Sequence, residues 1–250
     1  NSLTDIDFPQ GLKSIGDSAF LGCTSLTGIH LPASLTELGD SAFSTCRGLT
    51  SIKLPDKLTS IGVWAFTDCR NLESVTCGKD LTEIKDYAFS GCTNLANVEL
   101  PSGLMDIGRE AFAGCSSLTD IQLPKGITNI KEGTFMGCSS LAEIEFSKVL
   151  VTIGRSAFMG CSSLTDIILA EGLTAIDGDA FYQCSSLKNV TLPESLTLID
   201  GYAFAECSSL ESIRLPGKLK SLGAHAFFRC GNLRSIELPD SLTEIGGEAF

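Results

Sequence analysis

The chain has 250 residues, 43% of them hydrophobic, and its 18 basic and 30 acidic side chains leave a net charge of −12. That apolar fraction excludes a disordered chain, and no apolar run reaches the ~18 residues a membrane span requires. That lack of a span argues against membrane insertion of this segment, and the acidity argues against nucleic acid or anionic lipid as partner, since both are met by basic surfaces. Phe outnumbers Tyr and Trp together, 14 to 4, which points to a dry core rather than an aromatic binding surface.

The chain repeats itself every 23 residues. The pattern L-x-x-I-x-L-P-x-x-L-x-x-I-G-x-x-A-F-x-x-C-x-x begins at Leu3 and recurs from Leu26 through Leu233. Ten complete repeats fill residues 3–232, and an eleventh, covering 233–250, stops after Phe250. All eight prolines stand at repeat position 7, every repeat has Phe at position 18, and ten of the eleven cysteines occupy position 21. Such columns predict one solenoid domain over 1–250, in which each coil contacts chiefly its neighbours. A single coil buries too little to offset its ordering cost, so stacking is obligatory. The chain starts without Met, carries no leader, and begins and ends inside the repeat, which reads as an excerpt of a longer array.

Within a repeat the first element is a strand. Positions 4 and 6 share one face with period 2, while positions 3 and 5 point to solvent. Proline at position 7 lacks an N–H and ends it. Stacked coils then set these strands side by side in a parallel sheet, ~4.8 Å apart. Positions 10 and 13 form a second inward pair on a short extended or turn segment. Positions 13, 17, 18 and 21 are spaced like one face of a short helix or 3₁₀ turn, with Gly or Asp at position 14 as its start. The fold class expected is an α/β repeat solenoid. Repeat 4 departs from the pattern with Cys77-Gly78 and Lys85, repeat 7 with Phe146-Ser147, Val149 and Val151, and repeat 8 with Ala170. Drift in a tolerant array accounts for these better than partner contacts.

The run LPSGLMDIGREAFAGC, from Leu100 to Cys115, resembles the BspA-like, Treponema-type leucine-rich repeat. The resemblance covers the whole chain. It implies a right-handed, gently curved superhelix with its parallel sheet on the concave face. It also implies a surface-exposed or secreted protein, with adhesion to host proteins or cells as the activity, and it brings no catalytic residues.

The cysteine column reads as core. In-register side chains one strand apart keep their Cβ atoms near ~5 Å, beyond the ~3.5–4.5 Å of a disulfide, and a thiol is a small buried hydrophobe. Cys77 takes the place of a core Leu and reads likewise. The two histidines, His30 and His225, lie eight repeats apart and cannot share a metal or a catalytic dyad. No P-loop, G-x-G-x-x-G unit or H-E-x-x-H is present, so neither an enzyme nor a cofactor is expected. One sequon, Asn189-Val190-Thr191, falls on a strand. Trp64, Tyr87 and Tyr202 at position 16, with Tyr182 and Phe228 at position 19, belong on the convex or lateral surface, partly packed against neighbouring coils.

The function expected is a non-catalytic binding module, with a structural spacer or targeting region as the alternative. Positions 2, 3 and 5 vary, and they would tune a protein or glycan ligand. Between Lys53 and Lys188 no basic residue occupies them. Glu99, Asp120, Glu143, Glu145 and Asp166 form an acidic stripe there, beside the apolar Ile168. Stacked like charges repel, and the stripe reads either as a hydrated acidic surface or, more sharply, as a site for a basic protein surface or a hard cation such as Ca²⁺. Ile168 favours the protein.

Overall fold

The computed structural model describes residues 2–250. The chain divides into two compact units, Asn1–Gly126 and Ile127–Phe250, each a parallel-strand solenoid. In the first, β3 (Ser51–Lys53), β5 (Ser74–Thr76) and β7 (Asn97–Glu99) pair in that order. A second sheet joins β4 (Ser60–Ile61), β6 (Glu83–Ile84) and β8 (Asp106–Ile107), while β1 (Ser14–Ile15) pairs with β2 (Glu37–Leu38). The second unit repeats the plan. There β11 (Asp166–Ile168) pairs with β13 (Asn189–Thr191), and β15 (Ile213–Arg214) with β17 (Ile236–Glu237). Its second sheet runs through β9 (Asn129–Ile130), β10 (Thr152–Ile153), β12 (Ala175–Ile176), β14 (Leu198–Ile199), β16 (Ser221–Leu222) and β18 (Glu244–Ile245).

Every pairing is parallel and offset by one repeat, as in Ser51↔Ser74 and Thr152↔Ala175. The inward columns are buried as their periodicity predicts: Ile52, Val75 and Ile167 from the first strand, Leu58, Leu81 and Leu196 from position 10. Where proline ends the strand, its carbonyl closes a turn by accepting Leu58 N–H at 3.1 Å from Pro55 O. Gly78, Ser147 and Ala170 close the same turn, which supports drift rather than bending at the irregular repeats. The irregular Phe146 packs edge-on against Phe158 at 5.7 Å.

The expected helix is absent among the described residues. In its place stands a run of tight turns with a hydrogen-bond rule of its own. Backbone N–H groups at positions 17, 19 and 21 close turns inside their coil, as Ala205 N–H does on Tyr202 O at 3.0 Å. Those at positions 16, 18 and 20 donate to the next coil, as Phe204 does to Ala226 O (2.8 Å) and Glu206 to Phe228 O (2.7 Å). Positions 16 and 20 take left-handed backbone to make this possible, including Trp64 (φ 54), Tyr87 (φ 60) and Glu206 (φ 59). A helix would use its amides internally and leave adjacent coils unjoined on this side. The inward side chains at positions 17, 18 and 21 are buried either way, so their spacing alone does not distinguish the two.

Two columns line this third ladder. Phe rings stack face to face, from Phe20 to Phe112 in the first unit at 5.0–5.5 Å between centroids. In the second unit they run from Phe135 to Phe250 at 5.3–5.9 Å. Beside them eight thiols of the column donate to the Phe carbonyl of the preceding coil, for example Cys69 Sγ to Phe43 O at 3.1 Å and Cys184 Sγ to Phe158 O at 3.2 Å. All eleven thiols are free, and ten are buried. Cys77 is only half-buried, because position 6 meets the rim of the core, where Leu31, Leu100 and Leu192 are also partly exposed.

Burial pushes the thiol pKa values up: Cys46 and Cys77 to about 12 and Cys230 to about 11. Cys161, Cys184 and Cys207 rise well above the ordinary 9.0 for the same reason. Folded values above unfolded ones mean that this stability is whole below about pH 9 and is lost as pH rises toward the folded values. Each thiol contributes a slope of up to ~1.4 kcal/mol per pH unit. Denaturant melts from about pH 8 to about pH 10 should therefore show falling stability, and Cys161→Ala with Cys184→Ala should flatten the fall. Native thiols should resist alkylation until the chain unfolds; rapid labelling of the native protein would contradict the ladder.

Candidate interaction surface

The strands β3, β11 and β13 bury their middle residue and expose the two beside it, so positions 3 and 5 form outward rows. In the first unit Glu99 is exposed at the end of β7, in register with Thr76. Asp120 is exposed on the extended segment 118–124, which carries no strand. In the second unit Glu143 and Glu145 are exposed on the segment 141–147, also without a strand. Asp166 and Ile168 follow on β11, in register with Asn189 and Thr191. Ile168 is 74% exposed. A large aliphatic side chain left open on a paired strand is what a protein partner can cover.

Asp166 has a hydrogen-bonded neighbour within the row. Asn189 Nδ2 donates to its Oδ1 at 2.5 Å. That bond, a second from Thr165 and the nearby Lys188 hold its carboxyl below the usual range. The sequon residue Asn189 is thus a partner of the acidic row. The cation reading of the stripe finds no geometry to support it, since no three His, Cys, Asp or Glu side chains among the described residues converge to hold a metal ion.

The lateral turns hold a second set of polar and aromatic groups. In the first unit Trp64 stacks on Tyr87 at 5.7 Å, as the partial packing expected for position 16 requires. In the second, Tyr202 stacks on His225 at 4.5 Å, His225 meets Phe228 edge-on, and the Arg229 guanidinium lies 5.1 Å over Phe228. His225 Nδ1 sits 3.6 Å from Glu248 Oε2. At position 20, Gln183 Nε2 donates to Glu206 Oε2 at 2.9 Å and Arg229 Nη1 to Glu206 Oε1 at 3.4 Å. Gln183, with Tyr182 and Arg229, keeps the Glu206 carboxyl below the usual range. Sequence reasoning passed over this ladder. The available signal was the loss of glycine from a column that reads Gly91, Gly114, Gly137 and Gly160 just before it.

The sequence matches the BspA type leucine rich repeat region over residues 1–85, 65–156 and 134–250. The chain belongs to the BspA-type leucine-rich-repeat family. A leucine-rich repeat protein from Bacteroides ovatus is similar over 96% of this chain and 68% of its own, at 31% identity and a TM-score of 0.79. The T. pallidum leucine rich repeat protein is 34% identical over 61% of this chain and 72% of its own, with a TM-score of 0.57. The pneumococcal vaccine antigen PcpA shares the fold at 22% identity and a TM-score of 0.61, over 96% of this chain and 65% of its own. No curated protein matches the sequence significantly. BspA-type repeats are scaffolds that generally serve protein interaction, and no helix among the described residues is long and apolar enough to cross a membrane.

Proposed function

We propose that this BspA-type array is a non-catalytic binding module of a surface-exposed or secreted protein, working in adhesion, with its outward strand rows as the contact face. The observation that carries this reading is Ile168, open to solvent on β11 beside exposed Asp166. Its partner is a protein with a basic surface: Glu143, Glu145 and Asp166 in the second unit supply the charge and Ile168 the apolar anchor, with Glu99 and Asp120 the corresponding groups of the first. Charge complementarity speeds encounter, and buried apolar area slows release.

Surface plasmon resonance against a panel of extracellular-matrix proteins tests it. Glu143→Gln, Glu145→Gln and Asp166→Asn together should weaken binding about tenfold at low salt and much less at high salt, where exposed charges are screened. Ile168→Ser should speed release at any salt. Since Asp166 is hydrogen-bonded, Asp166→Asn should not raise thermal stability. Binding untouched by both variants would leave this face without a role beyond solubility.

A further inference from the structure

We propose that a groove on the lateral turns of the second unit, across repeats 7 to 10, binds an extended neutral oligosaccharide. This face is not the outward strand row, and the proposal does not depend on that reading. The groove is shallow and open to solvent, with a volume of about 480 Å³. Its floor is the ladder Gln183, Glu206 and Arg229, one residue from each of three successive coils. Ser162, Ser185 and Ser208 also line it, the Ser162 and Ser208 hydroxyls donating to Ser139 O and Ser185 O and keeping their lone pairs to accept.

The side chains, rather than the backbone, set the ladder apart. Gln183, Glu206 and Arg229 hold φ of 59°, 59° and 57°, the left-handed conformation that Thr45 and Asp68 also take at this position and that glycine adopts freely. Four coils in a row before them use glycine at this position, so the repeat itself does not call for these residues.

The chemistry then selects the ligand. Glu206 and Arg229 cancel each other's charge, which disfavours ions of either sign. No aliphatic or aromatic side chain lines the groove, so a peptide finds no pocket for an apolar anchor. What remains are planar groups suited to hydroxyl pairs: an amide, a carboxylate, and a guanidinium whose bond to Glu206 occupies one of its five donors. The Phe rings of these same coils are spaced 5.3–5.5 Å apart. That is close to the length of one sugar ring in an extended β-linked chain, so successive rings meet successive coils.

Isothermal titration of the full chain with cellohexaose, chitohexaose and mannohexaose tests the proposal. At least one should bind, with little dependence on salt. Replacing Gln183, Glu206 and Arg229 together by Gly should weaken it about tenfold or more, while the melting temperature holds or rises because glycine suits the backbone. Should that variant fold poorly, sugar-induced amide shifts in the parent chain should still centre on Gln183, Ser185, Glu206 and Ser208. The Glu143→Gln, Glu145→Gln, Asp166→Asn variant should bind sugar like the parent. No binding by any of the three sugars, unaltered binding by the triple-glycine variant, shifts elsewhere, or displacement of sugar by an unrelated peptide pool would each overturn it.

Discussion

Phe181→Ala should destabilise the second unit by about 3–5 kcal/mol, the range for emptying a fully buried aromatic site. Phe181 has no exposed surface, and its ring stacks between Phe158 and Phe204 at 5.3 Å on both sides. Alanine would leave a gap that neighbouring coils cannot close, because backbone hydrogen bonds fix their spacing. Phe158 N–H donates to Ala180 O at 2.8 Å and Phe181 N–H to Ala203 O at 2.8 Å. The control is Phe250→Ala. That ring is 52% exposed and stacks on Phe227 alone, at 5.9 Å, so its loss should cost less than half as much. Equal losses in denaturant melts would refute the stacked column.

Gly223→Ala and Gly231→Ala should move stability in opposite directions. A Cβ on Gly223 would lie 2.2 Å from Gly201 N and 2.4 Å from Asp200 C, both backbone atoms of the preceding coil. No side-chain rotation relieves that contact, and the coils must part, at a cost of about 1–3 kcal/mol or more. At Gly39, Gly62, Gly108, Gly223 and Gly246 the position-14 glycine admits a close approach of the preceding coil without a left-handed φ, whereas Lys85, Lys131, Asp177 and Asp200 hold the position in other coils. A Cβ on Gly231 would meet nothing within 4 Å. Alanine there narrows the unfolded ensemble and should stabilise by about 0.4–1 kcal/mol. Thermal melts of the two variants read the contrast directly, and a loss at both would mean that coil spacing does not decide the column.

The 23-residue period determined most of the architecture without help from the fold. Stacking gives each position nearly the same surroundings in every coil, so burial imprints itself as columns: Ile52, Val75 and Ile167 inward, Ser51, Lys53 and Asp166 outward. The prolines placed the strand ends, and the thiol column was legible as core for the same reason. The lateral turns were not legible. Inward residues spaced i, i+4, i+5 and i+8 fit one face of a helix and fit a run of tight turns equally well. What decided between them was where the amides at positions 16, 18 and 20 donate, and their acceptors lie 22 residues further along the chain. No single repeat contains that bond. Charge followed the same division: the acidic row could be read from Glu143, Glu145 and Asp166, but only the pairing of β11 with β13 set Asn189 against Asp166 and gave that carboxylate a hydrogen bond. The Gln183–Glu206–Arg229 ladder likewise exists only because stacking brings residues 23 apart within hydrogen-bond reach.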